Sequence, residues 1–122
     1  MSGVINWFDI PAANFARAVR FYETVLGIKL IQDNMLGAQL AIFPTDAGET
    51  TGAIMAREGV SPGTSGTTIY LKAGDNLADS LARVEGAGGK VVVPKSFIKE
   101  GFGYFAIMVD SEGNAVGLHS PN

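Results

Sequence analysis

The chain has no cysteine, which excludes disulfides, thiolate nucleophiles and cysteine-based zinc sites. It has one histidine, His119, so no cluster of imidazole ligands can form. Charge is sparse: 17% of the 122 residues are Asp, Glu, Lys or Arg, twelve acids against nine bases, for a formal net charge of −3. No cluster of Lys and Arg interleaved with aromatics is present to neutralise a phosphate track, which argues against nucleic acid as a partner. No apolar run approaches the length of a membrane span. The opening "MSGVINWFD" lacks the basic and apolar segments of a secretory leader. Together these absences predict a cytoplasmic protein without membrane contact. Apolar residues, by contrast, make up 47% of the chain, and a domain of this length buries roughly two thirds of its unfolded surface.

The order of elements comes from periodicity and punctuation. "GVINWFDIP" (3–11) reads as a strand stopped by Pro11. In "NFARAVRFYETVLG", Phe15, Val19, Tyr22 and Leu26 recur at helical spacing, with Asn14 as N-cap and Gly27 as the stop. Short strands are predicted over 28–32, 38–43 and 51–56. "REGVSPGTSG" (57–66) is the one linker-like segment. The pattern then restarts: "TTIYLK" as a strand, and "DNLADSLARVEGAGG" as a helix with Leu77, Leu81 and Val84 on one face. Asp75 or Asn76 caps that helix and Gly88-Gly89 ends it. The strands "KVVVP", "GYFAIMVD" and "AVGLHS" follow. Local echoes, "NFARAV" with "NLADSL" and Gly48 and Gly52 with Gly113 and Gly117, mark a duplication. Two copies are too few for a solenoid. The expectation is an α+β fold in a single domain, residues 1–122, built of two βαβββ modules (1–57 and 66–122) that form a curled mixed sheet around a cleft.

Two stretches carry a family resemblance. "WFDIPAANFARAVRFYETVLGIKL" resembles the opening signature of the vicinal oxygen chelate superfamily, which includes glyoxalase I, extradiol dioxygenases and bleomycin-resistance proteins. "VDSEGNAVGLH" resembles its closing signature, an Asp-x-x-Gly turn leading into the last strand. The resemblance implies a glyoxalase-like fold of paired modules, each a half-barrel presenting a cavity, and a homodimer. In metal-dependent members each module supplies two ligands, His, Glu or Gln, one from its first strand and one from its last. Carried onto this chain, those positions are Trp7, fifteen residues before Tyr22, then Thr68, Gly117, seven residues after Asp110, and Gly52 through the internal repeat. An indole N–H has no accessible lone pair, glycine has no side chain, and a lone hydroxyl is a weak ligand. No metal and no other cofactor is therefore expected, since catalytic zinc sites keep three protein ligands.

Strand alternation selects the remaining candidates. Trp7 and Asp9 share one face of the first strand, Thr68 and Tyr70 one face of its counterpart, and Gly117 and His119 one face of the last strand. With Gly52 these are the predicted pocket-lining residues. Phe43 or Met55, Phe97, Tyr104 and Met108 are further candidates. Asp9 or His119 is the candidate general base, with Lys72 a conceivable counter-charge to Asp9. The expected function is metal-free binding or sequestration of a small molecule, in the manner of bleomycin-resistance proteins. The alternative is a glyoxalase-like lyase or isomerase, or a dioxygenase, with an atypical or metal-free site. A third expectation is an interaction protein whose pocket is filled by its own side chains.

Overall fold

A computed structural model of the chain describes residues 3–122. Helix α1 (Phe15–Leu26) forms where the spacing places it. The Asn14 side chain accepts the Arg17 backbone N–H, and Gly27 closes the helix at φ +67°, donating its N–H to the Glu23 carbonyl. Its inward stripe buries Ala18, Val19, Phe21, Tyr22 and Val25. Strands β1 (Asp9–Pro11), β2 (Ile31–Met35), β3 (Ala38–Ile42) and β4 (Ala53–Ala56) form one sheet in the order β1-β4-β3-β2. The second half repeats it: β5 (Tyr70–Lys72), α2 (Ala78–Val84), β6 (Lys90–Lys99), β7 (Gly103–Val109) and β8 (Ala115–Ser120) give a sheet in the order β5-β8-β7-β6. In each sheet the first and last strands run parallel and the other pairs antiparallel. The fold is α+β, two open mixed sheets of matching topology.

One continuous core draws on both halves, joining Ile10, Phe21, Tyr22, Val25 and Ile54 to Leu71, Leu77, Met108 and Leu118. Both helices pack into this core, which leaves the opposite face of each sheet uncovered.

Several local expectations change: the strand expected over 3–11 is confined to Asp9–Pro11, the one over 28–32 runs Ile31–Met35, and the one over 51–56 starts at Ala53. Helix α2 stops at Val84, well short of Gly88-Gly89, and Leu77 occupies its N-cap position without side-chain capping. The Asn76 carboxamide oxygen instead accepts the Ala78 N–H at 2.9 Å. Strand β6 runs through Pro94 to Lys99, with three irregular steps in its pairing to β7. It is an edge strand, where a residue without an N–H is tolerated.

The turn 110–114 clasps the halves together. The Tyr22 hydroxyl donates to Asp110 Oδ2 at 2.6 Å, and the Asn114 amide donates to the Pro11 carbonyl at 2.7 Å. Beside them, the Arg17 guanidinium and the Asn14 N–H both donate to the Glu112 carboxylate. Burial raises the Tyr22 phenol well above its ordinary pKa, and the Asp110 charge adds to that. Burial acts to raise the Glu112 carboxyl too. Hydrogen bonds from Arg17, the Asn14 N–H and the Ser111 hydroxyl, with the Arg17 charge, outweigh it and hold the pKa below 4.5. A carboxyl lowered on folding stabilises the native state above its unfolded-chain pKa, and that contribution is lost as the pH falls through the folded value. Urea midpoints measured from neutral pH into the acid range should therefore fall below about pH 4.5. Glu112→Gln should flatten that limb while lowering stability near neutrality.

Candidate functional site

The open face of the first sheet is an apolar cleft of about 500 Å³. Alternation along β3 sends Ala41 into the core and turns Ala38, Leu40 and Ile42 outward. Leu40 pairs with Met55 on β4, and both are buried against Ala53 in a small separate cluster. Trp7 forms one wall. Its indole N–H donates to Asp9 Oδ1 at 2.9 Å, which holds the ring as a fixed flat surface. Arg57 reaches the same cleft. At the rim is the β2–β3 hairpin turn, where Leu36 adopts φ +53° beside Gly37 at φ +78°. That geometry ordinarily selects Asn or Gly, and here it presents a leucine that is 95% exposed.

The second sheet's open face carries a matching cleft of about 450 Å³, lined by Tyr70, Ile98, Phe102, Phe105 and His119. Here Gly117 has a structural reason. The Tyr70 ring lies across it so closely that an added Cβ would fall 2.5 Å from the ring's Cε1. Tyr70 also meets Phe105 edge to face, with centroids 6.3 Å apart. Phe102 sits in the turn between Gly101 and Gly103, both at positive φ, and its carbonyl lies 2.6 Å from His119 Nε2.

The predicted residues therefore divide. Trp7 and Asp9 line the first cleft; Tyr70 and His119 line the second, over Gly117. Asp9 and His119 are not brought together, and Lys72 forms no ion pair with Asp9 among the described residues, where the indole is the partner of Asp9. Thr68 is exposed and lines neither cleft. Gly52 faces the other way: an added Cβ would fall 2.5 Å from Cγ of Phe8, a ring packed against the core. Of the further candidates, Met55 lines the first cleft. Phe43 belongs to the core, in an edge-to-face contact with Tyr22, and Met108 is fully buried there. Tyr104 packs against the core with Phe97 beside it. Phe105, Ile98, Phe102 and Met35 were missed. For Phe105 a signal existed: it alternates with Tyr104, so placing one inward places the other outward.

The ladders give the true equivalence of the halves. Ala53 N–H donates to the Phe8 carbonyl and Gly117 N–H to that of Ile69; Ala12 N–H donates to Met55 and Ala73 N–H to His119. Gly117 thus matches Ala53, not Gly52, and His119 matches Met55. The positions to which the resemblance assigns a divalent cation become Trp7, Ala53, Thr68 and Gly117. An indole, a methyl, a hydroxyl and a bare backbone do not fit such an ion. Among the described residues no three His, Asp or Glu side chains converge. A third, more polar hollow of about 340 Å³ is lined by Ser61 and Ser65 of the linker and by Thr67, Asp9 and Asn114.

Comparison with known proteins agrees with the two-module fold. Residues 4–118 match the family described as Glyoxalase/Bleomycin resistance protein/Dioxygenase superfamily. No curated protein matches the chain. Among solved structures, glyoxalase I from Zea mays superposes with a TM-score of 0.67 at 19% identity, over 94% of this chain and 45% of that one. The chain thus spans under half the length of that enzyme. An antibiotic binding protein from a Streptomyces species gives 0.63 at 19% identity, covering 99% of this chain and 98% of its own. A glyoxalase/bleomycin resistance protein from Albidiferax ferrireducens gives 0.69 at 18% identity, with 97% and 98% covered. At these identities the structural likeness concerns the fold.

Proposed function

The chain belongs to the Glyoxalase/Bleomycin resistance protein/Dioxygenase superfamily, and we propose that within it this protein binds and sequesters a small, largely apolar aromatic molecule without a resident metal. The observation that carries the reading is the first cleft itself: an apolar hollow of small-molecule size, walled by an indole that Asp9 holds in place, with no metal-binding group at the equivalent strand positions. The separation of Asp9 from His119 supports binding over acid–base catalysis. Apolar side chains exposed at the cleft rims, among them Met35, Leu36, Ile98 and Phe102, support a homodimer in which a second subunit helps cover each cleft. The reading assumes a cytoplasmic setting.

Trp7 is the only tryptophan, so its fluorescence reports directly on the first cleft. Titration with planar aromatic compounds should quench or shift that emission. Calorimetry should show Trp7→Ala weakening any hit by about tenfold or more, as expected when an aromatic anchor is truncated. A hit bound unchanged by Trp7→Ala would remove the first cleft from the proposal. Elemental analysis after incubation with zinc, nickel and manganese should find far less than one ion per chain. Stoichiometric metal accompanied by glyoxalase activity would overturn the reading.

A further inference from the structure

We infer that the second cleft selects a flat aromatic ligand bearing an O–H or N–H donor, and that His119 Nδ1 is the acceptor that recognises it. The inference rests on the small-molecule reading above and adds the ligand's chemistry. A backbone carbonyl only accepts, so the 2.6 Å approach of Nε2 to the Phe102 oxygen requires the hydrogen to sit on Nε2. In the neutral ring the lone pair is then on Nδ1. The imidazole lines a cleft whose other walls are Tyr70, Ile98, Phe102 and Phe105, with the Lys99 ammonium on the Phe102 ring, and Nδ1 is the imidazole atom left to accept a hydrogen bond from a ligand.

Shape and charge narrow the ligand further. Tyr70, seated on Gly117 and braced by Phe105, is 52% exposed, which leaves ring surface free for stacking. The hollow, about 450 Å³, falls within the size range of small-molecule sites. Lys72 is the ladder partner of His119, and the Lys99 ammonium lies 5.5 Å from the centroid of the Phe102 ring, so positive charge borders the cleft. It favours a neutral or anionic phenol over an aromatic ammonium. A ligand donor that satisfies Nδ1 gains a hydrogen bond that an ether of the same shape cannot make.

The test uses the intact protein with histidine labelled by nitrogen-15, in mildly alkaline buffer. With one histidine, a long-range proton–nitrogen correlation spectrum contains one imidazole, and it should show a protonated Nε2 and an unprotonated Nδ1. Adding 2-naphthol should shift the Nδ1 resonance and the ring resonances of Tyr70 and Phe105. Adding 2-methoxynaphthalene should shift only the rings, with roughly tenfold weaker binding. In His119→Phe the tenfold preference should vanish while the ether still binds. A free protein with its proton on Nδ1 overturns the assignment without any variant. Equal binding of the two probes overturns the His119 role and leaves the cleft as an aromatic site. If neither probe moves the Tyr70 or Phe105 resonances, the inference fails together with the small-molecule reading of this cleft.

Discussion

Asp110→Ala should lower the free energy of unfolding by about 3–4 kcal/mol, seen as a fall of roughly 10–15 °C in Tm. The carboxylate is 3% exposed and accepts four hydrogen bonds: from the Tyr22 hydroxyl and the Asn114 side-chain amide on Oδ2, and from the Glu112 and Asn114 N–H groups on Oδ1. Truncation leaves all four donors without that acceptor, three of them buried (the Tyr22 hydroxyl and the Asn114 side-chain and backbone N–H groups), and each unsatisfied buried donor costs about 1–3 kcal/mol before the turn relaxes. Asp110→Asn should recover only part of the loss, because its NH₂ must face one pair of donors. Tyr22→Phe removes a donor while leaving Oδ2 its bond to Asn114, so it should cost about 1–1.5 kcal/mol. Thermal and urea unfolding of the three variants checks the ranking. An Asp110→Ala protein melting within about 3 °C of the parent would mean that the turn does not clasp the halves.

The second large effect comes from placing the same substitution at two similar-looking glycines. Gly52→Val should destabilise by about 3 kcal/mol or more, because Phe8 cannot retreat: its ring meets Phe43 at 5.8 Å and its carbonyl accepts the Ala53 N–H. Gly117→Val should cost about 1 kcal/mol in stability, since the half-exposed Tyr70 ring can swing toward solvent. Swinging away dismantles the platform of the second cleft, so its aromatic ligands should bind about 30-fold more weakly or not at all. Circular dichroism melts and calorimetric titration of the two variants separate the outcomes. A stable Gly52→Val protein with impaired binding would place Gly52 in a cleft after all.

That contrast shows where sequence reading stopped. The internal repeat was legible, and matching Gly52 to Gly117 was natural because each lies four residues beyond another glycine, Gly48 or Gly113. The hydrogen-bond ladders show the match to be off by one. Strand side chains alternate with a period of two, so a slip of one residue moves Gly52 from the open face to the core. The same one-residue slip separates Tyr104 and Met108, which turn to the core, from Phe105, which takes the open face. Thr68 differs for another reason: β5 begins only at Tyr70, the Ile69 carbonyl makes the last ladder bond, and Thr68 lies beyond it.

By itself the sequence determined the caps of α1, the duplicated order of strands and helices, and the scarcity of metal-binding side chains, since all three depend on residue type and short-range spacing. Only the tertiary structure decided which face each strand residue takes, that Asp9 and His119 line separate clefts, and that Tyr70 rests on Gly117. Those outcomes depend on register between strands far apart along the chain, and local periodicity is the same whichever register the sheet adopts.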